Sequence, residues 1–196
     1  TLLQADITDA VTLQPLSDYR FDYVVVTTTA GSRDEAVYRR VYVDGLHNVL
    51  TQLAKQREPV QRIVLASSTS VYGQSNGEWV DETSATEPLE FNGRIQLEAE
   101  QTARVAGIAT TVVRFGGIYG PGRERLIRQV QNGEFCAQDP HQYTNRIYRD
   151  DAARLLAFLV TKAQQQPDLA DCYLGTDDEP APLYEVQSYL AAKLGI

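Results

Sequence analysis

Asn92 and Gln96 stand four residues apart in Phe91-Asn92-Gly93-Arg94-Ile95-Gln96-Leu97-Glu98-Ala99-Glu100, a spacing that puts both side chains on one face of a helix. Each amide can donate and accept hydrogen bonds, and neither can cycle a proton near neutral pH. Upstream, Leu65-Ala66-Ser67-Ser68-Thr69-Ser70-Val71-Tyr72-Gly73 sets a hydroxyl cluster after an apolar run. A hydroxyl such as that of Ser68 can orient a substrate oxygen; taken alone, such a cluster also reads as a polar turn. A phenol, with a pKa of about 10, works as an acid or base at neutral pH only beside a cation. Tyr72 and Tyr119 have no Lys or Arg next to them in sequence. Arg146, in Asn145-Arg146-Ile147-Tyr148-Arg149-Asp150-Asp151, could grip an anionic substrate group bidentately or be an exposed structural arginine. Asp150 and Asp151 suit the first turn of a helix. Cys136, Cys172, His47 and His141 lie in no metal-ligand spacing, so no metal is expected.

The elements that must position these groups alternate short β-branched runs with longer amphipathic stretches, which predicts an α/β fold with a parallel sheet. Leu2–Leu3 reads as the start of a strand running into Ala5-Asp6-Ile7-Thr8-Asp9. Residues 21–27 read as a strand apolar on both faces. Asp34 is a candidate N-cap for a helix to about Gln56, whose stripe would be Val37, Val41, Gly45, Leu46, Val49, Leu50 and Leu53. A strand is expected over 62–67, then a Gly/Ser/Asn-rich loop through Gly77. Helix over 90–106 should stop at Gly107. Strand over 110–114, a Gly/Pro loop over 115–122, helices over 123–132 and 150–163, a strand over 172–174 and a helix over 183–194 complete the order.

With 43% hydrophobic residues among 196, the chain can bury a single-domain core. Its net charge of −8 disfavours nucleic acid and anionic membrane as main partners. No apolar run approaches the ~18–20 residues that span a bilayer, and the first residues lack a signal-peptide pattern. A cytoplasmic protein is expected. The sequence contains no Gly-x-Gly-x-x-Gly fingerprint. A doubly wound sheet beginning at residue 1 would lack its opening βαβ unit, about 30 residues, so a preceding segment carrying that fingerprint is expected.

Four segments, in order, resemble the extended short-chain dehydrogenase/reductase family of NAD(P)-dependent sugar epimerases and dehydratases, closest to its atypical branch. Ala5-Asp6-Ile7-Thr8-Asp9 resembles an element whose acidic side chain and next backbone N–H contact the adenine, although Asp6 reads equally as a turn residue. Val24-Val25-Val26-Thr27-Thr28-Thr29-Ala30-Gly31 resembles the strand that passes beside the ribose, with Thr27, Thr28 and Thr29 in place of the usual residues; a plain turn is the alternative. Ser67-Ser68-Thr69-Ser70-Val71-Tyr72-Gly73 resembles Ser-Ser-x-x-Val-Tyr-Gly and puts Ser68 at the catalytic hydroxyl position. Arg114-Phe115-Gly116-Gly117-Ile118-Tyr119-Gly120-Pro121-Gly122 resembles the loop beside nicotinamide and substrate, with Gly117 where an Asn often binds substrate.

The resemblance implies a Rossmann-like doubly wound parallel sheet with helices on both faces, in one domain over 1–196 with a small substrate lobe over about 116–196. It implies NAD or NADP as cofactor, held by Asp6, Ile7, Thr27, Thr28, Thr29, Ala66, Ser67, Phe115 and Gly116. Thr69, Tyr72, Gly117, Tyr119 and Arg146 would contact a small-molecule substrate, a nucleotide sugar among the candidates. Where the family reads Tyr-Gly-Arg-Ser-Lys-Leu-Glu-Ala-Glu, this chain has Asn92 for the Tyr and Gln96 for the Lys. The catalytic positions are thus Ser68, Asn92 and Gln96. The substitutions leave two readings: an oxidoreductase with an altered acid/base set, or a non-catalytic NAD(P)-binding sensor or scaffold. A homodimer through the helices near 34–56 and 90–106 is also implied.

Overall fold

A computed structural model describes residues 2–166 and 168–196. In chain order the elements are β1 (Tyr23–Val26), α1 (Glu35–Arg39), a π turn (Arg40–Asp44), α2 (Gly45–Leu53), β2 (Arg62–Ser68), a 3-10 turn (Thr69–Val71), α3 (Phe91–Arg104) and β3 (Thr110–Phe115). They continue with β4 (Gly117–Tyr119), α4 (Arg125–Gln131), β5 (Tyr143–Thr144), β6 (Arg146–Tyr148), α5 (Arg149–Gln165), β7 (Cys172–Gly175), β8 (Ala181–Pro182) and α6 (Leu183–Leu194).

The main sheet is parallel, in the order β1-β2-β3-β7. Successive side chains of a strand point to opposite faces, and the central strands feed two cores by that alternation. Ile63, Leu65 and Val112 face a core built with Leu46, Leu50, Leu53, Ile95, Ala99 and Ala103 from α2 and α3. Val64, Val113 and Phe115 face a second core with Ala152, Leu156 and Leu159 from α5. The sheet is therefore covered by helices on both faces, as a doubly wound fold requires. Short sheets of β4 with β6 and β5 with β8 sit in the second half of the chain, where α4 packs on α6.

Asp34 caps α1 by accepting a hydrogen bond from the Val37 N–H, and Gly107, at φ 74°, follows α3. Other expectations are corrected. Leu2–Leu3 forms no strand, and both side chains are exposed. Among the described residues β1 pairs only with β2, and Val25 is 42% exposed. The helix expected over 34–56 is broken by the π turn, whose extra residue shifts the apolar stripe: Val43 is buried, while Val37 and Val41 are only half-buried. The loop expected over 115–122 contains β4, because its backbone pairs with β6.

Candidate functional site

The carboxyl ends of β1, β2 and β3 bring Thr27, Ser67, Ser68 and Phe115 to one edge of the sheet, the edge where ligands bind in such folds. Ser67 pairs with Arg114 and Ser68 with Phe115 in register. Ser68 ends β2 in extended conformation, and its hydroxyl accepts the Ser70 N–H at 3.1 Å, which shapes the turn carrying Thr69. Among the described residues the Ser68 hydroxyl donates to no protein acceptor. The Phe115 ring is buried in the second core over Gly175, leaving its backbone at the strand end. Gly116 follows so close to Asn145 that a Cβ would stand 2.8 Å from that carbonyl oxygen. Ala66 packs against the second core.

The N-terminus of α3 rests on the Ser68 turn. A Cβ on Gly93 would lie 2.1 Å from the Ser70 carbonyl oxygen and 2.6 Å from Pro88 Cβ, so only glycine permits this approach. The contact sets Asn92 beside the turn. Asn92 Oδ1 and Ser70 Oγ are buried without a hydrogen-bond partner among the described residues. Gln96, one helical turn on, is buried on the same face of α3. An orphaned buried acceptor costs about 1–3 kcal/mol, a loss that a bound donor would offset.

Continuing that face by another turn reaches Glu100, which sequence reading did not single out. Its carboxylate accepts Arg114 Nε at 3.0 Å and Nη2 at 2.8 Å, together with the Ser67 hydroxyl at 2.7 Å. Side-chain exposures of 2% and 7% make this a buried ion pair. Arg114 Nη1 also donates to Tyr72 Oη at 2.9 Å, and Tyr72 in turn donates to the Asp81 carbonyl at 2.9 Å. The cation absent beside Tyr72 in sequence is thus supplied across the sheet. Burial nevertheless pushes the phenol above the ordinary tyrosine value, against the lowering effect of Arg114. Both of its hydrogen-bonding roles are occupied by protein groups. An arginine inside the strand Thr-Thr-Val-Val-Arg-Phe was the signal that a buried carboxylate must exist.

Asp6 is held in a turn: its carboxylate accepts the Thr8 N–H and hydroxyl, and those bonds lower its pKa. Ile7 sits against Gly45, where a Cβ would be 3.0 Å from its side chain, and its carbonyl accepts Asn48 Nδ2. Ile7, Thr27 and Thr28 line one groove of about 370 Å³ along β1, together with Val24, Val25 and Leu53. Thr29 lies exposed beyond it. Tyr42, from the π turn, accepts the Ala30 N–H at 3.3 Å and so braces this loop. It too escaped sequence reading, since a π turn has no simple spacing signal.

Gly117, Tyr119 and Arg146 are gathered by the pairing of β4 with β6: Gly117 faces Arg146, and Tyr119 faces Tyr148 with ring centroids 5.5 Å apart. Arg146 bonds to Thr144 and makes no ion pair among the described residues. Burial lowers its pKa, with Asp177 opposing. This half-buried guanidinium can take an anion. Among the described residues no three His, Cys, Asp or Glu side chains could share a metal ion, and no helix is long and apolar enough to cross a membrane.

A family model described as the NAD dependent epimerase/dehydratase family matches residues 1–172. Protein YeeZ of Escherichia coli K12 is 32% identical over 147 residues, 71% of this chain and 48% of its own length. A solved structure from Methylobacillus flagellatus, assigned to the NAD-dependent epimerases/dehydratases, is 37% identical with a TM-score of 0.78; the match covers 98% of this chain and 66% of that one. MoeE5, solved with UDP-glucose and NAD, is 25% identical with a TM-score of 0.77 over 98% of this chain and 68% of its own. The chain therefore spans about half the length of its curated relatives and two thirds of its solved ones.

Proposed function

Because the chain belongs to the NAD-dependent epimerase/dehydratase family, we propose that it binds NAD or NADP at the carboxyl edge of its sheet and presents a small-molecule substrate to Ser68, Asn92 and Gln96. The observation that carries this is the buried amide face of α3 beside the Ser68 turn, with Asn92 Oδ1 unpartnered. The small hydroxyls Thr27 and Thr28 at the carboxyl end of β1 leave room for close approach of the cofactor. Asp6, Ile7 and Thr27–Thr29 would hold its adenosine side, and the strand ends at Ala66, Ser67, Phe115 and Gly116 its nicotinamide side. When bound, the cofactor supplies hydride exchange. The chain's residues orient the substrate: Ser68 donates its hydroxyl proton to a substrate oxygen, and Asn92 and Gln96 bond to it without exchanging a proton. Arg146, Tyr119 and Gly117 would take the substrate's far end, and UDP-glucose in MoeE5 points to a nucleotide sugar. Thr69 and Tyr72 shape the near end through the turn.

The amides at 92 and 96 favour a second reading, a non-catalytic NAD(P)-binding sensor or scaffold. The test is hydride transfer to or from UDP-glucose with saturating cofactor between about pH 6 and 9. Binding without a pH-dependent turnover supports amide recognition. A bell-shaped rate profile would reveal an acid–base pair and overturn it. A cytoplasmic homodimer belongs to the same proposal. Arg39 of α1 already pairs with Glu98 of α3, joining the two helices that would form the interface.

A further inference from the structure

The connection from β2 to α3 carries the Ser68 turn at one end and Asn92 at the other, so whatever fixes its path also fixes the distance between them. Two fastenings stand out. Tyr72 receives the third donor of a guanidinium already gripped by Glu100, and passes its own proton to the Asp81 carbonyl. The next residue, Glu82, accepts the Leu174 N–H of β7 at 2.9 Å. The Arg114 guanidinium also lies over the Tyr72 ring, 5.1 Å from its centroid. Asp81 is itself ordered by the Thr83 N–H and the Thr83 and Ser84 hydroxyls. At the base of the connection, a Cβ on Gly73 would fall 2.2 Å from the Glu87 carbonyl oxygen, so its beginning and end are packed together.

We propose that Tyr72 and Glu82 are positioning residues, which hold the 73–87 connection against β3 and β7 and thereby keep the Ser68 turn and the α3 N-terminus in register. The Arg114–Glu100 pair is their anchor in the sheet. A guanidinium with two donors committed to one carboxylate cannot swing, so its remaining donor marks a fixed point for the Tyr72 hydroxyl. Glu82 accepts a strand N–H on the neighbouring β7, and the two points together remove the hinge that either alone would leave.

The protein carries its own reporter: its single tryptophan, Trp79, lies on this connection and is 84% exposed. Time-resolved anisotropy of Trp79 reads local motion with no ligand present, so it stays informative even if the proposed cofactor binding fails. Tyr72→Phe keeps the ring over Arg114 and removes only the hydroxyl. The expected result is a larger fast anisotropy component in Tyr72→Phe and in Glu82→Ala, with Glu82→Gln, which retains an acceptor, restoring the wild-type decay. Amide exchange should rise over 73–87 and stay unchanged in β2 and β3. Wild-type anisotropy in Tyr72→Phe would overturn the proposal. So would a rise in exchange spread evenly through the sheet, since that reports loss of fold rather than release of the connection.

Discussion

The Ser70 carbonyl oxygen stands 2.1 Å from where a Cβ at position 93 would lie, so α3 reaches the Ser68 turn only because residue 93 is glycine. The obstacle is backbone, backed by Pro88 Cβ at 2.6 Å, and neither can turn aside as a flexible side chain would. Gly93→Ala should therefore destabilise the protein by about 1–3 kcal/mol, even though alanine is the better helix former. Urea unfolding measures this; a change below about 0.5 kcal/mol would contradict the contact.

Glu100 and Arg114 make a second, separable prediction. Glu100→Gln leaves a guanidinium in the interior without its counter-charge, and the cost should be about 3–5 kcal/mol. Replacing both, as Glu100→Leu with Arg114→Met, should recover most of that loss, because the desolvation of both charges is removed together. Equal losses in the single and double variants would show that the pair is not the unit described.

Alkaline stability should carry a contribution from Tyr72. Its phenol is held above the ordinary tyrosine value by burial, so the native state keeps this proton longer than the unfolded chain does. By linkage that contribution is full below the unfolded pKa of about 10 and is lost as pH rises through the higher native value. Tyr72→Phe should flatten the fall of the urea midpoint between about pH 9 and 11. An unchanged slope would contradict the assignment.

Much of this architecture is legible in local sequence, and the reasons differ by element. Asp34 announces its helix because capping is a contact within three residues. Ser68 ends β2 where a β-branched run gives way to hydroxyls. The π turn at 40–44 was not legible: its single extra residue moves Val43 inward and leaves no mark that a 3.6-residue period can detect. Glu100 reads as one more acidic residue on a helix surface until Arg114, 14 positions later, is brought against it.

The amide pair on α3 can be tested by restoring ionisable groups. Asn92→Tyr with Gln96→Lys puts a phenol and a cation four residues apart on the same helix face, with Ser68 unchanged. If the remaining site is intact, the double variant should transfer hydride with a nucleotide sugar faster than the wild type, followed as nicotinamide absorbance. Neither single change should suffice, because the phenol needs the cation to ionise near neutral pH. Transfer by Gln96→Lys alone would mean that another group already serves as the acid.

The most direct test is a titration of NADH and of NADPH into the protein, followed by nicotinamide fluorescence. The account predicts saturable binding of at least one of them, weakened by substitutions at Thr27 and Thr28. No binding of either would contradict it and leave a nucleotide-binding fold kept for another purpose.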